Sequence, residues 1–198
     1  LGMLGVSKSD DPTQLGKNDI TLDMFGWRQF AYKFHELTDR DYFSRQMAVT
    51  APILSHRWFP AAHIDYYVAR PRDINLLAIG DVERIHKYAR INRERPELVL
   101  GADAYFVTSS RDFQDHEKLL GKYFSTIEKP EIIKIFKRQK HVENFFVYRL
   151  RSCIQVPPDV LEEAGIMKPF NYEIFDETAV DDTSALFKRD SLQDFLRY

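Results

Sequence analysis

The sequence predicts an α/β fold: a three-layer α/β/α arrangement around a Rossmann-like, mostly parallel sheet, extended by a C-terminal antiparallel hairpin. Two observations carry this prediction. Short apolar runs alternate with amphipathic segments through the first 120 residues, which is typical of a parallel sheet covered by helices. Two β-rich runs then follow each other closely around residue 140, as the two strands of a hairpin do.

The predicted helices have apolar stripes with helical spacing. In the first, Phe30, Phe34 and Leu37 recur at i, i+4 and i+7, and Asp23 is the expected N-cap. Ser110 is the expected cap of the last helix. The predicted helices cover residues 24–37, 60–69, 81–92 and 111–120.

The predicted strands are short apolar runs bounded by turn residues. Residues 51–55, 74–79 and 104–108 are each followed by a helical segment, so we expect them to pair in parallel. Residues 131–138 and 143–151 are the hairpin strands, joined by the polar residues 139–142.

Composition indicates one globular domain with a tail. The chain has 198 residues, of which 44% are hydrophobic and 29% charged, and this excludes a collagen-like or largely disordered chain. Its only cysteine, Cys153, excludes an internal disulfide framework and a Cys-rich zinc module. We interpret Cys153 as a small buried hydrophobic residue rather than a nucleophile.

Charge is divided unevenly along the chain. Residues 1–155 carry 24 basic and 20 acidic side chains, and residues 156–198 carry 4 and 10. The net charge of −2 does not favour nucleic acid as a partner. We therefore expect an extended leader at residues 1–18, an α/β domain at residues 19–155, and an acidic, partly ordered tail at residues 156–198 that packs on the domain.

The chain shows neither a membrane segment nor a secretory signal. No apolar run approaches the roughly 20 residues that span a bilayer. Because the chain starts at Leu1 rather than Met, we expect it to be part of a longer protein. Glycine-rich phosphate loops, the G-x-S-x-G elbow and the H-E-x-x-H zinc motif are also missing from the sequence.

The most unusual segment is HRWFPAAHIDYY at residues 56–67. His56, Arg57 and Trp58 fall where a strand ends and a helix starts, and ligands of α/β sheets bind outside the carboxyl ends of strands. His63 and Tyr67 lie one helical turn apart. Arg57 would bind phosphate or carboxylate and Trp58 would stack on a sugar. In the alternative, Trp58 and Tyr67 belong to the core and Arg57 pairs with a structural carboxylate.

Two further groups have a functional and a structural interpretation. His63 and His86 would be metal ligands only with acidic or histidine partners at suitable spacing, so we expect no metal site. A basic cluster is either a patch for phosphate or lipid headgroups or the solvent face of the hairpin. Its members are Lys134, Lys137, Arg138 and Lys140.

Four segments resemble, in order, the soluble region of bacterial membrane glycosyltransferases related to dolichyl-phosphate-mannose–protein mannosyltransferase and aminoarabinose transferase. DITLDMFGW at residues 19–27 is similar to the stretch that follows the last membrane helix. HRWFPAAHIDYYVA at residues 56–69, IHKYARIN at residues 85–92 and GADAYFVT at residues 101–108 resemble the next three blocks. A Trp is more usual in the third block where Arg90 stands, and the acidic tail has no counterpart.

The resemblance implies a GT-C-type parent enzyme in the bacterial inner membrane, with this domain on the periplasmic, extracytoplasmic side. Such enzymes transfer a sugar from a polyprenyl-phosphate carrier to a lipid, glycan or protein. Their catalytic acids and any divalent metal lie in the membrane domain, so no catalytic residue and no cofactor is expected on this chain, which would be inactive alone. The implied partners are the parent's own membrane domain, the carrier-linked sugar and the acceptor.

The candidate ligand-binding residues come from the polar segment and the third block. They are His56, Arg57, Trp58, His63, Tyr67, His86 and Tyr88.

The alternative function is an independent α/β small-molecule-binding or interaction domain.

Overall fold

The structure is a computed structural model that describes residues 11–166. Its strands are β1 Ile53–Ser55, β2 Leu76–Ala78, β3 Ala104–Ser109, β4 Phe124–Ile127, β5 Glu131–Lys137 and β6 Lys140–Cys153. Its α-helices are α1 Trp27–Phe43, α2 Trp58–Ile64, α3 Val82–Ile85, α4 Tyr88–Arg93, α5 His116–Leu120 and α6 Val160–Glu163. A π-helical segment, Asp65–Ala69, continues α2, and short 3-10 turns cover Ile20–Leu22 and Arg70–Arg72.

The strands form one sheet, and the predicted α/β class, with parallel strands extended by antiparallel ones, is confirmed. β1 lies between β2 and β3 and pairs with both in parallel. β6 pairs antiparallel with β3, with Ser109 opposite Phe145. We call the side of the sheet where β1, β2 and β3 end its carboxyl end, and the opposite side its amino end.

The sequence does not predict β4. This strand and β5 lie one after the other along the same side of β6, with Ile127 opposite Leu150 and Glu131 opposite Val147. Pro130 stands between them and has no N–H to donate to the ladder, which explains the interruption. β4 has little apolar alternation, because its central residues are exposed Ser and Thr.

The hairpin between β5 and β6 is tighter than predicted. Arg138 and Gln139 have φ of 48° and 66°, and two consecutive residues with positive φ are typical of a type I′ turn. β6 therefore begins at Lys140 rather than at residue 143. Since β3 stops opposite Phe145, the turn projects beyond the carboxyl end of the sheet.

The first helix begins and ends later than predicted. Asp23 is not its N-cap, because Asp19 accepts a hydrogen bond from Thr21 N and starts a separate 3-10 turn. Gly26 then turns the chain with φ of 87°, and a Cβ there would lie 2.8 Å from Ile135 Cγ2, so only glycine fits. The predicted apolar stripe of α1 is buried.

The predicted helix over residues 81–92 is split in two, and the one over residues 111–120 is shortened. His86, with φ of 49°, separates α3 from α4. Asp115 caps α5 by accepting from Glu117 N and Lys118 N. Ser110 is therefore not the cap, and its hydroxyl instead donates to Leu15 O and accepts from Asn144 N.

Apolar side chains cover both faces of the sheet. On one face, α1 packs Phe30 and Phe34 against Phe145 and Tyr105. The other face holds a second cluster around Phe106, to which α5 contributes Leu120. Burial of each large apolar side chain stabilises the fold by about 1.5–3 kcal/mol.

A fully partnered ionic network lies towards the amino end. Asp41 is completely buried and accepts from Arg149 Nε at 2.6 Å, Arg149 Nη2 at 2.8 Å and the Tyr105 hydroxyl at 3.1 Å. Arg149 also donates to Glu131 at 3.2 Å. The hydrogen bond from Arg149 to Asp41 raises the pKa of the guanidinium further.

Both predicted terminal segments extend past the described residues. Within the predicted leader, residues 11–18 form turns that lie at the carboxyl end of the sheet. Asn144 donates to Pro12 O, and a Cβ on Gly16 would lie 2.5 Å from Val142 O. Of the predicted tail, residues 156–166 contain α6, where Arg93 pairs with Asp159 at 2.5 Å. Residues 167–198, and with them the predicted packing of the tail, lie outside the described residues.

Candidate functional site at the carboxyl end of the sheet

The strand order predicts a position for ligand binding between β1 and β3. The chain leaves β1 towards β2 on one side, whereas β3 lies on the other side. In open α/β sheets, ligands bind where the strand order reverses in this way, outside the carboxyl ends. His56 and Arg57 follow β1 at this position, and Asp112 follows β3.

Asp112 bridges the two loops at this position. Its carboxylate lies 2.6 Å from Arg57 Nη1 and 3.5 Å from His56 Nε2. Burial raises the pKa of Asp112, but hydrogen bonds from His56 and Arg57 outweigh burial and leave it below its ordinary value. The alternative in which Arg57 pairs with a carboxylate is therefore observed, with Arg57 itself half exposed.

Two buried polar atoms at the end of β1 have no partner. Within residues 11–166, the buried side-chain atoms without a hydrogen bond are Ser55 Oγ, His56 Nδ1 and His116 Nδ1. Ser55 and His56 are successive, so their side chains leave opposite faces of the strand. Unpartnered buried polar groups are rare in folded proteins because each costs free energy, so this pair marks the end of β1 as a candidate binding position.

A buried carboxyl group lies on the α1 side of the same end. Glu143 is almost fully buried, and burial raises its pKa to about 8. Arg111 and a hydrogen bond from Ser109 oppose this rise, whereas Asp23 adds to it. Glu143 is therefore a carboxyl group that holds its proton near neutral pH and can then donate as well as accept hydrogen bonds.

Aromatic rings continue from this position along α2. His63 stacks on Trp27 with ring centroids 4.5 Å apart, and Tyr67 lies 6.2 Å from His63. The Phe59 carbonyl can only accept a hydrogen bond, so His63 Nδ1, at 3.0 Å, carries a proton. Both His63 and Tyr67 are partly buried, and their rings are held by neighbouring aromatic groups.

Trp58 and His86 form a separate exposed pair. Their ring centroids are 5.9 Å apart in an edge-to-face arrangement, and 44% of the Trp58 surface is exposed. Trp58 is therefore not a core residue and has a free surface for a ligand. Because the Trp58 ring is exposed, its predicted stacking on a sugar stays a hypothesis.

Tyr88 does not join this end of the sheet. Its buried hydroxyl donates to Asp65, which also accepts from Arg95 at 2.7 Å. Arg95 in turn donates to Leu76 O, at the amino end of β2. Burial and the Asp65 charge raise the pKa of Tyr88, and its contacts are those of a structural group.

Three residues of this end are missing from the candidates named from sequence: Ser55, Asp112 and Glu143. Asp112 follows the third predicted strand, as His56 follows the first. Because the carboxyl ends of parallel strands meet at one edge of the sheet, this position in the sequence is a signal that could have identified Asp112. Glu143 precedes the core residue Phe145 by two, so strand alternation places both on one face.

Within residues 11–166, no group of three or more His, Cys, Asp or Glu side chains could hold a metal ion. No helix in the same range has the length and apolar character needed to cross a bilayer. Cys153 is buried, and burial raises the pKa of its thiol.

The sequence matches no known family model, no curated protein and no solved structure.

Proposed function

We propose that this chain is the extracytoplasmic domain of a polytopic bacterial inner-membrane glycosyltransferase that uses a polyprenyl-phosphate sugar. The observation that carries the proposal is the ordered set of four sequence blocks at residues 19–27, 56–69, 85–92 and 101–108. Each block alone is weakly specific, whereas four in one order are much more so. The acceptor is a lipid, a glycan or a protein.

Contacts between the blocks support a shared surface. Trp27 of the first block stacks on His63 of the second, and Trp58 of the second contacts His86 of the third. The fourth block is β3 with its preceding turn, and Asp112 follows it. The second and third blocks therefore meet at the carboxyl end of the sheet, where Arg57 and Trp58 are exposed.

The side chains at the carboxyl end suit an accessory role, which is to help bind a sugar that is linked to a phosphate. A guanidinium binds a phosphate oxygen with charge-assisted hydrogen bonds, and an indole face packs on a sugar ring. Arg57 and Trp58 supply these two groups side by side. The catalytic acids and any divalent metal would come from the membrane domain of the parent protein, which is the proposed partner.

Two measurements test the proposal. The reading frame ahead of Leu1 should encode several apolar segments of about 20 residues. Membranes that contain the complete protein should transfer a labelled sugar from polyprenyl phosphate to an endogenous acceptor, and the isolated chain should not. Absence of the apolar segments, or membranes without transfer, would contradict it.

The second candidate is an independent small-molecule-binding α/β domain. It is favoured by Ser55 Oγ and His56 Nδ1, which are buried without partners at the end of β1. In this case the isolated chain should bind a free sugar phosphate, measured by calorimetry with glucose 1-phosphate. Binding that is lost in His56→Phe would support this candidate, and no heat of binding would exclude sugar phosphates as its ligands.

A further inference from the structure

We propose that the carboxyl end of the sheet rests on an anionic phospholipid surface through the tip of the β5–β6 hairpin. The contact surface, called the tip patch, consists of three basic and two apolar side chains. They are Lys137, Arg138, Lys140, Ile20 and Met24. This proposal deepens the proposed function, on which it rests for the presence of a membrane beside the domain.

Positive charge is concentrated at the tip. Lys137 lies directly opposite Lys140, and Arg138 occupies the turn between them. Like charges on opposite strand positions are destabilising, and a type I′ turn favours Asn and Gly over Arg. Within the described residues, no acidic side chain pairs with Arg138 or Lys140. The tip therefore offers uncompensated charge to an anionic partner.

Exposed apolar side chains lie next to this charge. Lys137 Nζ contacts Thr21 Oγ1 at 3.2 Å and Thr21 O at 3.4 Å, which fixes the 3-10 turn against the hairpin. Ile20 and Met24 lie on either side of Thr21 in the sequence and are 76% and 71% exposed. Surfaces that lie on membranes combine basic residues with apolar side chains that enter the headgroup region.

The path of the chain places the same end towards a membrane. Residues 11–18 lie against the carboxyl end, where Leu15 O accepts from Ser110 and Gly16 O accepts from Arg111. In the proposed parent, the last membrane helix precedes this segment. In that parent, the chain would therefore enter the domain at the same end of the sheet as the tip patch.

The charge of the tip patch favours a lipid surface over a protein as its partner. Arg138 and Lys140 have no acidic partner within the described residues and, together with Lys137, match a surface of anionic headgroups, to which each such residue contributes about fivefold in binding. A protein interface buries a larger apolar core than two side chains can provide. We therefore commit to a phospholipid surface.

Co-sedimentation of the 198-residue chain with vesicles tests this proposal. Binding should occur with equal parts of phosphatidylcholine and phosphatidylglycerol, should fall at high salt, and should be absent with phosphatidylcholine alone. The variant Arg138→Asn/Lys140→Gln removes two charges and should weaken binding by about 25-fold. Asparagine tolerates the positive φ at position 138, so this variant should fold.

A matched variant controls for total charge. Lys122→Gln/Lys129→Gln removes two exposed charges away from the tip, next to β4, and should bind like the unchanged chain. Ile20→Ser/Met24→Ser should weaken binding without changing its salt dependence. Equal losses in the two charge variants, or no binding to anionic vesicles, would overturn the tip patch. Neither result bears on sugar transfer by the complete protein, which tests the proposed function separately.

Discussion

Both ends of the sheet carry buried acidic and basic groups, but the hydrogen bonding of these groups is complete at one end and incomplete at the other. Towards the amino end, Asp41 has Arg149 and Tyr105 as partners and is completely buried. At the carboxyl end, Asp112 is partly exposed, and the His56 ring that faces it keeps one nitrogen without a partner. A fold gains stability from the first arrangement and loses some from the second.

This difference separates structural from functional groups in the molecule. Buried ions that are fully hydrogen-bonded need no ligand, so the Asp41 network is explained by the fold alone. Unpartnered groups at the end of β1 are not explained in this way. Their position at the reversal of strand order is where α/β sheets bind ligands.

The largest expected effect is at the amino end. Asp41→Ala leaves the Arg149 guanidinium buried without its main partner and should lower the free energy of unfolding by about 3–5 kcal/mol. Asp112→Ala should lower it by less than about 1 kcal/mol, because its partner Arg57 is half exposed. Urea titrations of both variants measure the difference, and equal losses would remove the distinction between the two ends.

The next effect concerns the pH dependence of stability. Folded Glu143 has a pKa raised to about 8, so between its ordinary pKa and about 8 the folded state binds more protons than the unfolded state. The free energy of unfolding should therefore fall as pH rises through this window, by up to about 1.4 kcal/mol per pH unit. Arg111, Ser109 and Asp23 are the groups around this carboxyl.

The variant Glu143→Gln isolates this contribution. It should remove that part of the pH dependence and be more stable than the unchanged chain at pH 9, with little difference at pH 4. Melting temperatures across this range give the comparison. Parallel curves for the two proteins would show that Glu143 does not titrate in this window.

The smallest expected effects on stability come from removing a hydrogen-bonded group, the Tyr105 hydroxyl, and a group without a partner, His56 Nδ1. Tyr105→Phe removes a hydrogen bond to buried Asp41 and should cost about 1–2 kcal/mol. His56→Phe removes a ring whose Nδ1 has no partner and should change stability by less than about 1 kcal/mol in either direction. A loss in His56→Phe as large as in Tyr105→Phe would assign His56 to the structural groups.

The sequence predicts the fold class and most elements because apolar periodicity records which face each element buries. Phe30 and Phe34 lie on one helix face and are both completely buried. Element ends are predicted less well, since they depend on local hydrogen bonds and contacts. Gly26 and His86 are two such positions. A positive φ and a close approach to Ile135 at Gly26 set where α1 begins, and a positive φ at His86 separates α3 from α4.

The candidate site is predicted in part for a similar reason. His56, Arg57 and Trp58 come from one segment, so strand-end reasoning finds them. Asp112 reaches them only through the pairing of β1 with β3. Tyr88 lies apart from them, because its contact with Asp65 depends on how α4 packs against the segment that continues α2.

The sugar transfer that we propose for the complete protein tests the central claim, that the carboxyl end of the sheet is the functional end. Arg57→Ala should lower transfer from a polyprenyl-phosphate sugar by about tenfold, as expected for the loss of one charge-assisted hydrogen bond. Arg72→Ala breaks a comparable exposed pair with Asp39 and should leave transfer unchanged. Full activity of Arg57→Ala, or equal losses in the two variants, would contradict the claim.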